Sequence, residues 1–119
     1  MAEDLVNNPS HYTDGPFECD LLTKQLDFNA GCMVKYLYRY KSKGDPIMDL
    51  SKAYWYSQHL DVKWTSKLIE NNSDISMKLY ILKNQNWADA KDVWDDLLFG
   101  DYYSLSPDIN KLLSTVKEK

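Results

Sequence analysis

Lys35 and Arg39 stand four residues apart in a chain whose formal net charge is −4, and Lys41 and Lys43 follow them closely. That spacing puts Lys35 and Arg39 one above the other on a single helical face. A guanidinium can grip a phosphate with two parallel hydrogen bonds, and the lysines add point charge, so the cluster has the make-up of an anion site. Read from residue types alone, the same run also suits a solvated helix face whose basic last turn complements the helix dipole. His11 offers a second kind of chemistry. It sits between Ser10 and Tyr12 in a segment rich in turn formers (Asn7, Asn8, Pro9, Thr13, Asp14, Gly15 and Pro16), so it is presented on a loop. There it could hydrogen-bond a phosphate or move a proton near neutral pH, or equally dock against the core and fix an N-terminal arm.

Aromatic residues surround these positions. Tyr36, Tyr38 and Tyr40 alternate in sequence and so point to different sides of a helix, as do Tyr54, Trp55 and Tyr56. Most such rings fill a core or an interface. Tyr36, beside Lys35, is the ring placed to meet a base, and base stacking is worth roughly 1–3 kcal/mol. His59 reads as an interface or partly buried residue. No glycine-rich loop ends in Gly-Lys-Ser or Gly-Lys-Thr, which excludes a P-loop kinase. No His/Cys set has zinc spacing, and Asp45, Asp49 and Asp61 are too dispersed for a magnesium cluster, so neither a metal nor another cofactor is expected. Asp49 fits helix-dipole or ion-pair support.

The elements that must position these side chains are helical. Phe17–Gln25 suits a short amphipathic helix, and a longer one runs from Phe28 to Lys41 before Gly44 breaks it. Asp45 as N-cap and Pro46 at the first helical position open a third helix, which runs through Leu50, Ala53, Tyr54, Ser57 and Leu60. Asn71-Asn72-Ser73 forms a loop and cap before Ile75, Leu79 and Leu82. Asn86 is placed to cap a helix with Trp87, Ala90, Val93, Trp94, Leu97 and Leu98 on its buried side, closed by Gly100. Ser106-Pro107-Asp108 reads as the start of a terminal helix carrying Ile109, Leu112, Leu113 and Val116. The sequence thus predicts an all-α bundle of about six helices with an N-terminal loop arm and no strand.

With 119 residues and 44% apolar content, the chain has the size of one domain. Residues 1–67 carry 8 basic and 9 acidic side chains, and residues 68–119 carry 6 and 9, so the acidity lies mostly in the second half. This balance argues against general affinity for nucleic acid or an anionic membrane. Cys19 and Cys32, with no signal peptide or apolar run of membrane length, read as reduced thiols in a cytoplasm, Cys32 as a packed small hydrophobe.

Three blocks in order carry a resemblance: Asn8-Pro9-Ser10-His11-Tyr12, Gly31-Cys32-Met33-Val34-Lys35-Tyr36 with Arg39, and Asp49-Leu50-Ser51-Lys52-Ala53-Tyr54. Together they resemble a family of small phage proteins with a PSHY loop, a GN…KY…R helix and a DL-x-KA helix, which includes a nucleotide kinase without a P-loop. The resemblance spans about residues 7–62 and leaves 68–119 as a separate acidic helical part. It implies a nucleotide ligand, with His11, Lys35 and Arg39 as catalytic residues and Ser10, Tyr12, Tyr36, Lys41 and Lys43 as binding residues. It further implies (deoxy)nucleoside monophosphate phosphorylation in the host cytoplasm. Where the pattern has Gly-Asn this chain has Gly31-Cys32, and a thiol does not reproduce the donors and acceptor of an amide. The abundance of aromatics on a short chain points to a homo-oligomer. Two alternatives remain open. One is a non-catalytic sponge for a nucleotide signal. The other is an anti-defence protein whose Asp89, Asp92, Asp95, Asp96 and Asp101, near Tyr102 and Tyr103, cover the basic channel of a host nuclease such as a CRISPR effector.

Overall fold

The computed structural model describes residues 16–42, 45–85 and 88–118. The expected N-terminal arm with Ser10, His11 and Tyr12 lies outside them, as do Lys43 and the Asn86 cap with Trp87. The described residues form α1 (Asp20–Thr23), α2 (Phe28–Arg39), α3 (Pro46–Ser57), α4 (Val62–Glu70), α5 (Ser73–Gln85), a 3₁₀ turn (Ala88–Ala90), α6 (Lys91–Phe99) and α7 (Tyr102–Lys117). The fold is all-α, with no strand among the described residues.

In α2 the buried stripe is Ala30, Met33, Val34, Leu37 and Tyr38, the i, i+3, i+4, i+7, i+8 pattern of a helix with one face in the core. Gly31 lies at the closest approach to α1. A Cβ there would stand 3.0 Å from the Thr23 carbonyl oxygen, so only glycine lets the two segments pack this tightly. The Asp45 side chain accepts from the Met48 amide and Pro46 occupies the first turn, so α3 starts where the sequence places it. Gly100, at φ 76°, closes α6 in the left-handed conformation. Asn72 caps α5 by accepting from the amides of Asp74 and Ile75.

α2 and α3 pack on each other, α3 packs on α7, and α5 packs on α6, so residues from both halves of the chain share one hydrophobic core. Leu22, Leu37, Leu50, Leu79, Trp94, Leu105 and Ile109 lie in it. At the α3–α7 seam the hydroxyls of Ser57 and Ser106 meet at 2.8 Å, so this buried polar pair is satisfied internally.

Two expectations are corrected. The sequence reading contains no helix over Val62–Glu70, yet α4 forms there, capped by Asp61 through the Trp64 amide. Thr65 and Ile69, four residues apart, form its buried side with Leu68 packed beside them, while Val62 and Trp64 are exposed. Thr65 is satisfied by donating to Asp27 Oδ1 at 2.8 Å, which ties α4 to the start of α2. The second correction concerns α7. It begins at Tyr102 with Asp101 capping the Ser104 amide, and it runs through Pro107 instead of starting at Ser106-Pro107-Asp108. Proline there removes one ladder hydrogen bond. Burial of Leu105 together with Ile109 and Leu113 along one continuous stripe outweighs that loss.

Candidate functional site

α2 and α3 bring a group of rings and cations together. Tyr36 and Tyr56 stack with centroids 6.1 Å apart and planes 14° from parallel. The ammonium groups of Lys35 and Lys52 lie 4.6 and 5.2 Å from the Tyr36 ring centre, and the Arg39 guanidinium carbon lies at 5.9 Å. These separations put all three cations within the range at which a ring face attracts positive charge. Lys35 and Lys52 have no carboxylate partner among the described residues. Phe28 and Trp55 meet Tyr56 edge-on at 6.4 and 5.1 Å, and both are substantially exposed.

Arg39 is held differently. Its Nε lies 3.3 Å from Oδ2 of Asp49, whose side chain is 5% exposed. Asp49 is thus the ion-pair support expected of it, a buried negative charge beside the guanidinium. Lys41 does not join the group. It forms a 2.9 Å ion pair with Asp89, which precedes α6.

The three alternating tyrosines of α2 separate as their spacing requires. Tyr36 is half-buried in the ring group, Tyr38 is buried and donates its hydroxyl to the Phe17 carbonyl, and Tyr40 is buried at the end of the helix. Cys32 is partly exposed beside Tyr56, whose hydroxyl is held above the usual phenol range chiefly by the neighbouring thiol, with burial adding to it. Cys32 therefore belongs to this face more than to the core in which the sequence places it. Cys19 is the packed cysteine, and burial pushes its thiol up to about 12. His59 is exposed, stacks on Trp55 at 3.8 Å and makes a 2.7 Å hydrogen bond from Nδ1 to the Trp55 carbonyl oxygen.

Next to this group lies a shallow groove of about 270 Å³ lined by Lys24, Asp27, Phe28, Gly31, Cys32 and Lys35, among others. Lys35 stands on the wall shared by the groove and the ring pair. The arrangement can hold a planar ring against Phe28 or Tyr56 while an anionic group meets Lys35 and Lys52. Among the described residues no set of His, Cys, Asp or Glu side chains is gathered to hold a metal ion.

Sequence reasoning singled out Lys35, Tyr36 and Arg39, which the structure brings together. It missed Lys52 and Tyr56 as members of the site. Lys52 stands in the Asp-Leu-x-Lys-Ala block and Tyr56 follows it by one helical turn, so the i, i+4 spacing on α3 was the available signal.

The fold and the site define a small all-α protein with an aromatic, cation-bearing face built from its first long helices. A family of proteins of unknown function, DUF3310, matches residues 6–58, which includes Asn8–Tyr12 and ends just past α3. The match therefore covers the segment that supplies every member of the ring and cation group except His59, which follows α3. No curated protein and no solved structure matches the chain. None of its described helices is long and apolar enough to cross a membrane.

Proposed function

We propose that this chain binds a nucleotide on the α2–α3 face and acts as a (deoxy)nucleoside monophosphate kinase-like phosphotransferase without a P-loop. One observation carries the reading: Lys35 and Lys52, with no carboxylate partner among the described residues, flank a stacked tyrosine pair. An anion with a planar group is the ligand whose chemistry complements two such ammonium groups beside stacked rings. In this reading Lys35 and Lys52 meet phosphate, Arg39 is aimed by Asp49 at the same group, and Tyr56 or Phe28 receives the base. Phosphoryl transfer needs little covalent chemistry from the protein and depends on positioning and cationic stabilisation of charge. The catalytic role of His11 rests on the resemblance of its loop, as do the binding roles of Ser10, Tyr12 and Lys43.

The test is to incubate the purified chain with each nucleoside monophosphate and a triphosphate donor, then measure bound ligand by calorimetry and product by chromatography. Saturable binding with diphosphate product supports the full reading. Binding without product, unchanged in His11→Ala, reduces it to sequestration. Absence of binding at millimolar nucleotide overturns it, and co-purification with a host nuclease would then put the anti-defence reading in its place.

A further inference from the structure

A second cavity, of about 280 Å³, lies between α6 and α7 and is closed on one side by Tyr40 at the end of α2. Asp89, Asp92 and Asp108 line it together with Lys111, and Asp89 is paired with Lys41 at 2.9 Å. Asp96 lies beside Asp108, and burial and that neighbour raise its carboxyl to about 8, which shows how crowded the negative charge is here. The remaining lining is mostly apolar: Val93, Leu112 and Val116.

An acidic cluster alone is an ordinary solvated surface. The distinguishing feature is Tyr40, which is 4% exposed and whose buried hydroxyl has no hydrogen-bond partner among the described residues. A buried polar atom left without a partner costs on the order of 1–3 kcal/mol, so its retention on the wall of a cavity calls for a bound group. Burial raises the Tyr40 hydroxyl above the usual phenol range, and the Asp89 carboxylate adds to the effect, so this hydroxyl faces the same charge as the cavity does.

We infer that the α6–α7 cavity is a binding site for a small organic ammonium compound with a short apolar stem, its charged head held by Asp92 and Asp108 beside the Tyr40 hydroxyl and its stem against Val93, Leu112 and Val116. A metal ion does not fit, because the carboxylates among the described residues are not gathered closely enough to ligate one. An anion is disfavoured because, with Asp89 paired to Lys41, Asp92 and Asp108 still outnumber Lys111 in the lining. A wholly apolar molecule would leave Tyr40 unpaired. The cavity volume, below the usual range of about 300–1,000 Å³ for drug-sized ligands, suits a molecule of a few carbon atoms. This inference is independent of the nucleotide reading, since it uses other helices and the opposite sign of charge.

The experiment is a titration of the isotope-labelled full chain with hexylammonium chloride, followed through the amide resonances of Asp92, Val93, Lys111 and Thr115. Hexanol and ammonium chloride serve as neutral and stemless probes. Saturable shifts are expected with hexylammonium, and binding about tenfold weaker with either control, as for loss of one charge-assisted contact. D92N, at an exposed position, and Y40F should each weaken hexylammonium binding about tenfold while their spectra retain the parent dispersion. Shifts that never saturate, equal binding of hexanol, or unchanged affinity in folded D92N overturn the assignment.

Discussion

The α2–α3 face and the α6–α7 face differ in how each deals with like charge. On α2–α3 Lys35 and Lys52 gather around rings with no carboxylate partner among the described residues, while Arg39 is matched by the buried Asp49. On α6–α7 Asp92, Asp96, Asp101 and Asp108 crowd together, and the strain is relieved by holding one proton: the Asp96 carboxyl is raised to about 8 by burial, by its hydrogen bond to Asp108 and by the charges of Asp108, Asp101 and Asp92. The first region instead sets its cations against ring faces. The second carries a titratable element within the working range of a cell.

The sharpest way to break this contrast is to remove the lysines. K35A/K52A should lower nucleotide affinity by about 3 kcal/mol, the loss of two contacts to a charged group, with the thermal midpoint held or raised. Calorimetry on the folded double variant reads the effect, and undiminished affinity would remove the face from the site. A smaller effect is expected at the ion pair. D49A should cost about 2 kcal/mol in urea unfolding, because it removes a buried carboxylate from beside a partly buried guanidinium, and it should weaken nucleotide binding less than the lysine pair does.

The acidic region is tested by pH. A carboxyl whose folded pKa lies above its unfolded value favours the folded state fully below the unfolded pKa, and that contribution is lost as pH rises through the folded pKa. For Asp96 the window runs from about 3.8 to about 8, so the melting temperature should fall with rising pH across it. D96N, which keeps a hydrogen-bonding side chain toward Asp108 without ionising, should flatten that fall. A parent-like slope in D96N would locate the titration elsewhere. The smallest effect is expected from D92K, at an exposed position on α6, which should leave nucleotide affinity within about 0.5 kcal/mol of the parent. A larger loss would mean the two faces are coupled.

Much of the fold was legible because its signals are local. Asp45-Pro46 opens α3 and Gly100 closes α6 through short-range chemistry that any reading along the chain can recover. α4 and the start of α7 were not legible, because tertiary burial overrode local pattern. Thr65 is buried only because Asp27 waits for its hydroxyl, and Pro107 is tolerated only because Leu105 and Ile109 reach the same core. The site was half legible for a related reason. Lys35 and Arg39 declare themselves by spacing within one helix. Their union with Lys52 and Tyr56 depends on how α2 rests on α3, which no single-helix periodicity encodes. The Tyr40 hydroxyl was the least visible of all, since being unpartnered is a property of the packed molecule.

Trp55 gives the α2–α3 face an optical signal of its own. Its indole lies flat against the His59 ring at 3.8 Å and edge-on to Tyr56 at 5.1 Å, with about half its surface in water. Trp94, by contrast, is wholly buried and emits from a surrounding that a ligand on this face does not touch. Any molecule settling against Tyr56 changes the polarity and ring contacts around Trp55. Occupancy of the face is therefore readable as a shift in intrinsic fluorescence, without a label, and the signal should disappear in W55F.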